Sequence, residues 1–137
     1  MCGIAGLFLP QNSPMTRASL ASMLSVMHHR GPDGEQLFET DDGRFQAGFL
    51  RLAIIDVETG DQPILSPGGN LVLLGNGEIY NYLELRKSEN AYPYRSNGDM
   101  EVILPLYERY DDHFVDHLNG MFSLALYDKT RHSLILA

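Results

Sequence analysis

The chain begins MCGIAG, and its one cysteine, Cys2, stands directly behind the initiator methionine. A thiol attacks only as its thiolate, and an unperturbed pKa of ~8.5 leaves little of it active at neutral pH. If Met1 is removed, Cys2 carries its own base, an α-amino group of pKa ~7.7–8.0 that is partly neutral at cellular pH. One residue then supplies both nucleophile and proton acceptor. Taken alone, the position equally suits a small residue that opens a buried strand.

Other stretches have side chains that could serve such a nucleophile or hold a charged ligand. In NGEIYN, residues 76–81, Asn76 can donate a side-chain N–H and Gly77 a backbone N–H with no Cβ in the way, which is the make-up of an oxyanion hole. The same residues also suit an ordinary Asn-Gly turn with Glu78 as a surface charge. Arg51, which opens RLAIID (51–56), can present its planar fork to a carboxylate, or it can pair with Asp56. Asp99 in SNGDME (96–101) follows a glycine at the start of a helical pattern, so N-terminal capping competes with acceptance of a ligand ammonium. HRGPDG (29–34) reads as a helix stop followed by a tight Pro-Asp-Gly turn.

The histidines point elsewhere. His28 and His29 are adjacent, so a helix directs them about 100° apart, and His113 and His117 have chelating spacing without a third ligand motif. No metal site is expected. The acidic pairs Asp41-Asp42 and Asp111-Asp112 stand beside turn-forming residues and read as solvated loop charge.

These residues need elements to hold them. Residues 3–9 (GIAGLFL) suit a strand buried on both faces. From 16 to 29, Leu20, Met23, Leu24 and Met27 recur at one-face helical spacing until Gly31-Pro32 stops the helix. Extended runs at 36–40 and 45–49 flank a DDG hairpin turn, and RLAIID adds a further strand-like run. SPGGN (66–70) introduces a buried strand over 71–76; Asn81 caps a short helix through Arg86; and a second helix runs from 99 to 110 with Pro105 set to kink or shorten it. A helical turn over 114–119 precedes strands at 121–128 and 132–137 around a DKT turn. Strands with helices between them predict layered α and β structure.

Composition bounds the function. The 137 residues suffice for one domain, and 44% hydrophobic content can fill its core. A net charge of −8 with no basic stripe repels phosphate backbones, which excludes nucleic acid as an expected partner. No apolar run approaches the ~20 residues of a membrane span, and no signal-peptide pattern opens the chain, so a cytoplasmic location and no membrane partner are expected.

MCGIAG, HRGPDG, RLAIID with its following GDQP (60–63), NGEIYN, the GDxE of residues 98–101 and NGMFSLALYD (119–128) together resemble the class II glutamine amidotransferase domain of asparagine synthetases. The motifs run in the family's order through all 137 residues, and HRGPDG is similar to the asparagine synthetase branch rather than the phosphoribosylpyrophosphate or fructose-phosphate amidotransferases. The resemblance implies an α+β fold of the N-terminal nucleophile hydrolase type, a four-layer αββα sandwich. It implies that Cys2 attacks the side-chain amide of L-glutamine and that Asn76 and Gly77 hold the oxyanion. Arg51 would then bind the substrate carboxylate, Glu78 and Asp99 its ammonium, and backbone groups of Ile54 and Ile55 the rest of the pocket. No cofactor is implied for this half. The ammonia would pass to a synthetase-like domain or subunit that uses ATP and Mg and is absent from the 137 residues. The oligomeric state stays open, a homodimer being one arrangement, and a non-catalytic partner-binding module of the same fold is the competing reading.

The pattern departs from the family in three places. Phe49 stands where many members carry a histidine before the arginine, Pro105 interrupts the helix behind Asp99, and the family domain runs on past Ala137. The sandwich is therefore expected to be C-terminally incomplete, with residues 1–137 as the N-terminal part of the domain.

Overall fold

In the computed structural model, which describes residues 2–10, 17–53 and 60–137, the chain divides into two compact units, Met1–Ala53 and Ile54–Ala137. The first contains β1 (Gly3–Phe8), α1 (Arg17–Met27), a 3₁₀ turn (His28–Arg30), β2 (Gly34–Glu39) and β3 (Phe45–Arg51). Its sheet has the order β1-β3-β2, antiparallel throughout. The DDG turn forms as expected. Gly43 adopts φ +66°, its N–H donates to the Thr40 carbonyl at 2.8 Å, and the Asp42 carboxylate accepts from the Thr40 hydroxyl at 2.7 Å and the Arg44 N–H at 3.1 Å. Asp42 is thus a turn-building group rather than loose surface charge.

β1 is not buried on both faces. Gly3 and Ala5 are buried while Phe8 is 49% exposed, because β1 lies at a sheet edge and α1 packs on the face that carries Ala5 and Leu7. The helix presents Leu20 and Leu24, both fully buried, with Met27 packed beside them; Met23, expected on that face, falls on its flank and stays exposed. Among the described residues of RLAIID only Arg51 is strand: β3 ends there, Leu52 and Ala53 leave the sheet, and Ile54, Ile55 and Asp56 lie outside the described residues, as do Met1 and Thr16.

The second unit runs β4 (Ile64–Leu65), β5 (Leu71–Ile79), α2 (Tyr82–Ser88), a 3₁₀ turn (Met100–Val102), α3 (Ile103–Tyr110), a 3₁₀ segment (Asp111–His117), β6 (Gly120–Asp128) and β7 (Ser133–Leu136). These strands pair antiparallel in the order β4-β5-β6-β7. SPGGN makes the expected turn, with Gly69 at φ +71° and the Ser66 hydroxyl accepting from the Leu71 N–H at 3.1 Å. β5 runs three residues longer than expected. Asn76, Gly77 and Glu78 pair with Ser123, Phe122 and Met121 inside the ladder, which overturns the Asn-Gly turn reading.

The α-helix that carries Pro105 is shortened, one of the two outcomes expected of it. Pro105 is the third residue of α3, where the missing N–H falls in the first turn, and the segment expected as one helix divides into a 3₁₀ turn followed by α3. Asn81 precedes α2 with its carbonyl accepting from Glu84 and Leu85; its side chain makes no cap and instead bonds the His117 carbonyl and the Asn119 N–H, both at 3.0 Å. The core lies between the sheet and α3, where Leu71, Leu73, Ile79, Leu124 and Leu126 meet Val102, Ile103, Leu106 and Phe114. Each such side chain contributes about 1.5–3 kcal/mol on burial. In the DKT turn Asp128 accepts from the Thr130 and Arg131 N–H groups, at 2.8 and 3.1 Å, and the Arg131 guanidinium pairs with Asp111, so that acid too has a structural partner.

Candidate active site

In the first unit the ladder brings Gly3 opposite Leu50, and Cys2 stands one step before it, beside the end of β3. The half-buried thiol is held by main-chain atoms. The Leu52 N–H donates to Sγ at 3.4 Å, and the thiol faces the Leu52 carbonyl at 3.6 Å. The carbonyl of Cys2 itself accepts from Arg30 Nε at 3.2 Å. Arg51 occupies the last position of β3, half-buried, opposite Gly34. Phe49 is buried between Ile4 and Gln36 in the same sheet, so an apolar ring fills this departure from the family pattern.

HRGPDG does more than stop the helix. Besides the Arg30 contact, Asp33 donates its N–H to the Arg51 carbonyl at 3.0 Å and accepts the Ala53 N–H on Oδ2 at 2.9 Å, gripping the chain on both sides of Leu52. A Cβ at Gly31 would collide with the backbone of Leu50 and Arg51, so only glycine permits this approach. Reading the motif as a turn missed Arg30 and Asp33. The available signal was two opposite charges bracketing a Gly-Pro pair directly after a helix.

In the second unit β5 carries Asn76, half-buried, Gly77, and Glu78, exposed. Gly77 has φ +144°, and a Cβ there would strike the backbone of Met121 and Phe122. Asp99 is buried and its Oδ2 accepts the Ile79 N–H at 2.6 Å; it makes no side-chain cap, which overturns the capping reading. The loop before it is pinned from two sides. Glu101, 1% exposed, accepts from the Arg95 N–H, the Ser96 N–H and the Ser96 hydroxyl, while Arg86 donates to the carbonyls of Ser96 and Gly98 and lies 4.2 Å above the Tyr94 ring. Tyr92 and Tyr94 meet edge to face, and burial pushes both phenols above their ordinary range. Gln62 was also missed: its buried amide accepts the Gly75 N–H at 2.6 Å and donates to the Gly75 carbonyl at 2.9 Å, next to Asn76.

Cys2 and Arg51 are therefore neighbours in one unit, and Asn76, Gly77, Glu78 and Asp99 in the other; Ile54 and Ile55 lie outside the described residues. His113 faces Asp116 at 3.3 Å, whereas the His117 ring stacks on Tyr110 at 4.0 Å, so the two rings are engaged separately. No helix among the described residues is long and apolar enough to cross a membrane.

A second-position thiol beside an arginine, and an Asn-Gly pair inside a strand next to a buried aspartate, agree with a match over residues 1–137 to the family described as the glutamine amidotransferase domain. The chain belongs to that family. It is 40% identical over 139 residues to asparagine synthetase [glutamine-hydrolyzing] 2 of Bacillus subtilis (strain 168), a match covering 99% of this chain and 18% of the relative. It is likewise 40% identical over 138 residues to asparagine synthetase [glutamine-hydrolyzing] 1 of Arabidopsis thaliana, covering 100% of this chain and 23% of the relative. The chain thus spans about a fifth of the length of these relatives. Among solved structures, glutamine phosphoribosylpyrophosphate amidotransferase from B. subtilis, complexed with ADP and GMP, superposes with a TM-score of 0.68 at 17% identity, over 94% of this chain and 35% of that one. This likeness shows the fold, the N-terminal nucleophile type with two antiparallel sheets that the sequence led us to expect.

Proposed function

We propose that this amidotransferase domain hydrolyses L-glutamine to glutamate and ammonia through a thioester on Cys2, and that the ammonia supplies an asparagine synthetase-like amidation. The observation that carries the reading is the second-position thiol held against Leu52 beside Arg51, in a chain of the glutamine amidotransferase family. With Met1 removed, the α-amino group of Cys2 takes the thiol proton, and the thiolate attacks the side-chain amide carbon. Asn76 and Gly77 donate to the resulting oxyanion. The C–N bond then breaks, and the amine returns the proton to the leaving nitrogen, which departs as ammonia. Water attacks the thioester, gives its proton to the same amine, and the sulfur recovers it as glutamate leaves.

Substrate charge sets the remaining assignments. A free zwitterionic amino acid needs one cation for its carboxylate and acids for its ammonium, and Arg51, with Glu78 and Asp99, meets that demand. Backbone groups of Ile54 and Ile55 are assigned the rest of the pocket. ATP and Mg belong to the synthetase-like partner, domain or subunit. A cytoplasmic setting follows from the same reading.

The test uses the chain with Met1 removal verified by intact mass. We expect ammonium release from L-glutamine, abolished by Cys2→Ala. Undiminished release by that variant would remove Cys2 from the mechanism.

A further inference from the structure

The oxyanion assignment asks one backbone N–H, that of Gly77, to point in a set direction, and the edge of β5 shows what directs it. Among the described residues, β4 pairs with β5 only where Ile64 meets Leu73 and Leu65 meets Val72. In an antiparallel strand every second residue sends both main-chain groups to the same edge. Leu124, opposite Gly75, exchanges both of its own with Ala137 on its far side, at 2.8 and 3.3 Å, so Gly75 faces away from β6. By the same alternation Gly77 and Ile79 address that edge too. Side chains meet the outer two of these three positions. Gln62 takes the N–H and C=O of Gly75, at 2.6 and 2.9 Å, and Asp99 takes the N–H of Ile79 at 2.6 Å. Gly77 lies between them.

We infer that Gln62 is a positioning residue for the oxyanion donors, its side-chain amide standing in for a paired strand residue at Gly75. A carboxamide carries one acceptor and a donor, the same pair that a backbone residue offers, so it satisfies both groups of Gly75. A strand continued along this edge would go on to pair Gly77 as well. One amide holds the strand and stops short of that N–H. With 8% exposure, Gln62 makes these bonds out of competition with water, and it fixes the peptide that leads directly into Asn76.

This inference rests on the reading of Asn76 and Gly77 as oxyanion donors, so the experiment tests both. kcat and KM for glutamine hydrolysis are measured for Gln62→Met and, beside it, Asn76→Ala, in the full chain with Met1 removed. Folded molecules are counted by thermal melting and by iodoacetamide alkylation of Cys2, the sole cysteine. Donors that act on the transition state change kcat, so Gln62→Met should lose about tenfold to a hundredfold in kcat per folded molecule with KM changed less than about twofold. Wild-type kcat, or a loss confined to KM, overturns the positioning role; the oxyanion reading still stands if Asn76→Ala loses kcat. Full kcat in Asn76→Ala overturns both. If Gln62→Met does not fold, Gln62→Asn, which keeps an amide one methylene short of Gly75, must show the same kcat-selective loss, and wild-type kcat in it overturns the inference.

Discussion

The Cys2 sulfur in the first unit is held by main-chain groups of Leu52, and the Cys2 carbonyl by the Arg30 side chain, which reaches it across 28 residues, whereas in the second unit the buried side chains of Gln62, Asp99 and Glu101 hold main-chain atoms in place. The difference is one of energy. Hydrogen bonds to a half-exposed thiol sulfur are weak, so little of the fold depends on the side chain at position 2. Bonds to buried carboxylates and to a buried amide are worth more, and losing one partner strands the other away from water. Substitutions in the first unit should therefore separate activity from stability. In the second unit they should join the two.

The strongest test of that contrast is Gly77→Ala. The added Cβ meets the backbone of Met121 and Phe122 at φ +144°, and neither neighbour can step aside without breaking the β5–β6 ladder. We expect about 3 kcal/mol or more of lost stability in chemical denaturation, from strain and overpacking together, with activity lost alongside. A loss below about 1 kcal/mol would mean that the ladder yields at this point and that the second unit is not the rigid partner in the comparison.

Asp99→Asn sharpens the contrast from the other side. An asparagine carbonyl can still accept the Ile79 N–H, so the end of β5 keeps its bond while the negative charge goes. Stability should fall by about 1 kcal/mol, and KM for glutamine should rise by about tenfold or more as the charge-assisted bond to the substrate ammonium is lost. An unchanged KM contradicts the ammonium role and leaves Asp99 as a strand clamp alone.

What the sequence reveals of this arrangement follows the range of each interaction. DDG, SPGGN and DKT announce their hairpins because a turn is decided within four or five residues, and Gly43, Gly69 and the Asp128 carboxylate each do their part locally. The longer course of β5 was hidden for the opposite reason. Asn76-Gly77 prefers a turn by itself, and only the pairing with residues some 45 positions later keeps it extended. Arg30, Asp33 and Gln62 were missed on the same ground, since they act on Cys2, Ala53 and Gly75, respectively 28, 20 and 13 residues away. Side-chain chemistry was easier to read than side-chain placement: a lone thiol behind Met1 is conspicuous in any setting, while the partners that hold it are ordinary residues in ordinary turns.

In the first unit the matching measurement is the stability of Cys2→Ala. Replacing the thiol removes two sulfur contacts from a half-buried site and leaves the Arg30 bond to the residue's carbonyl intact. Denaturation should shift by no more than about 0.5 kcal/mol while glutamine hydrolysis disappears. A loss as large as that of Gly77→Ala would erase the distinction between the units.

The smallest expected effect lies away from both sets of residues, in the Asp111–Arg131 pair that joins the end of α3 to the turn before β7. The hydrogen bond from Arg131, with the attraction of its charge, holds the Asp111 carboxyl below its ordinary range. Because the folded value is the lower one, the pair's contribution is complete above the unfolded carboxyl pKa of about 3.9 and is lost as the pH falls through the folded value. Both side chains are about half exposed, 51% for Asp111 and 55% for Arg131, so solvent and salt screen the attraction. Tyr107, which accepts a bond from Arg131 and donates one to Asp128, has its phenol pushed up by burial and stays neutral throughout this acid range. Melting curves of the wild type and Asp111→Asn should therefore differ by a small, constant amount between pH 5 and 8 and converge below about pH 4, the gap closing also in high salt. A difference that widened on acidification would carry the wrong sign for a depressed carboxylate and would remove this pair from the forces that hold the second unit.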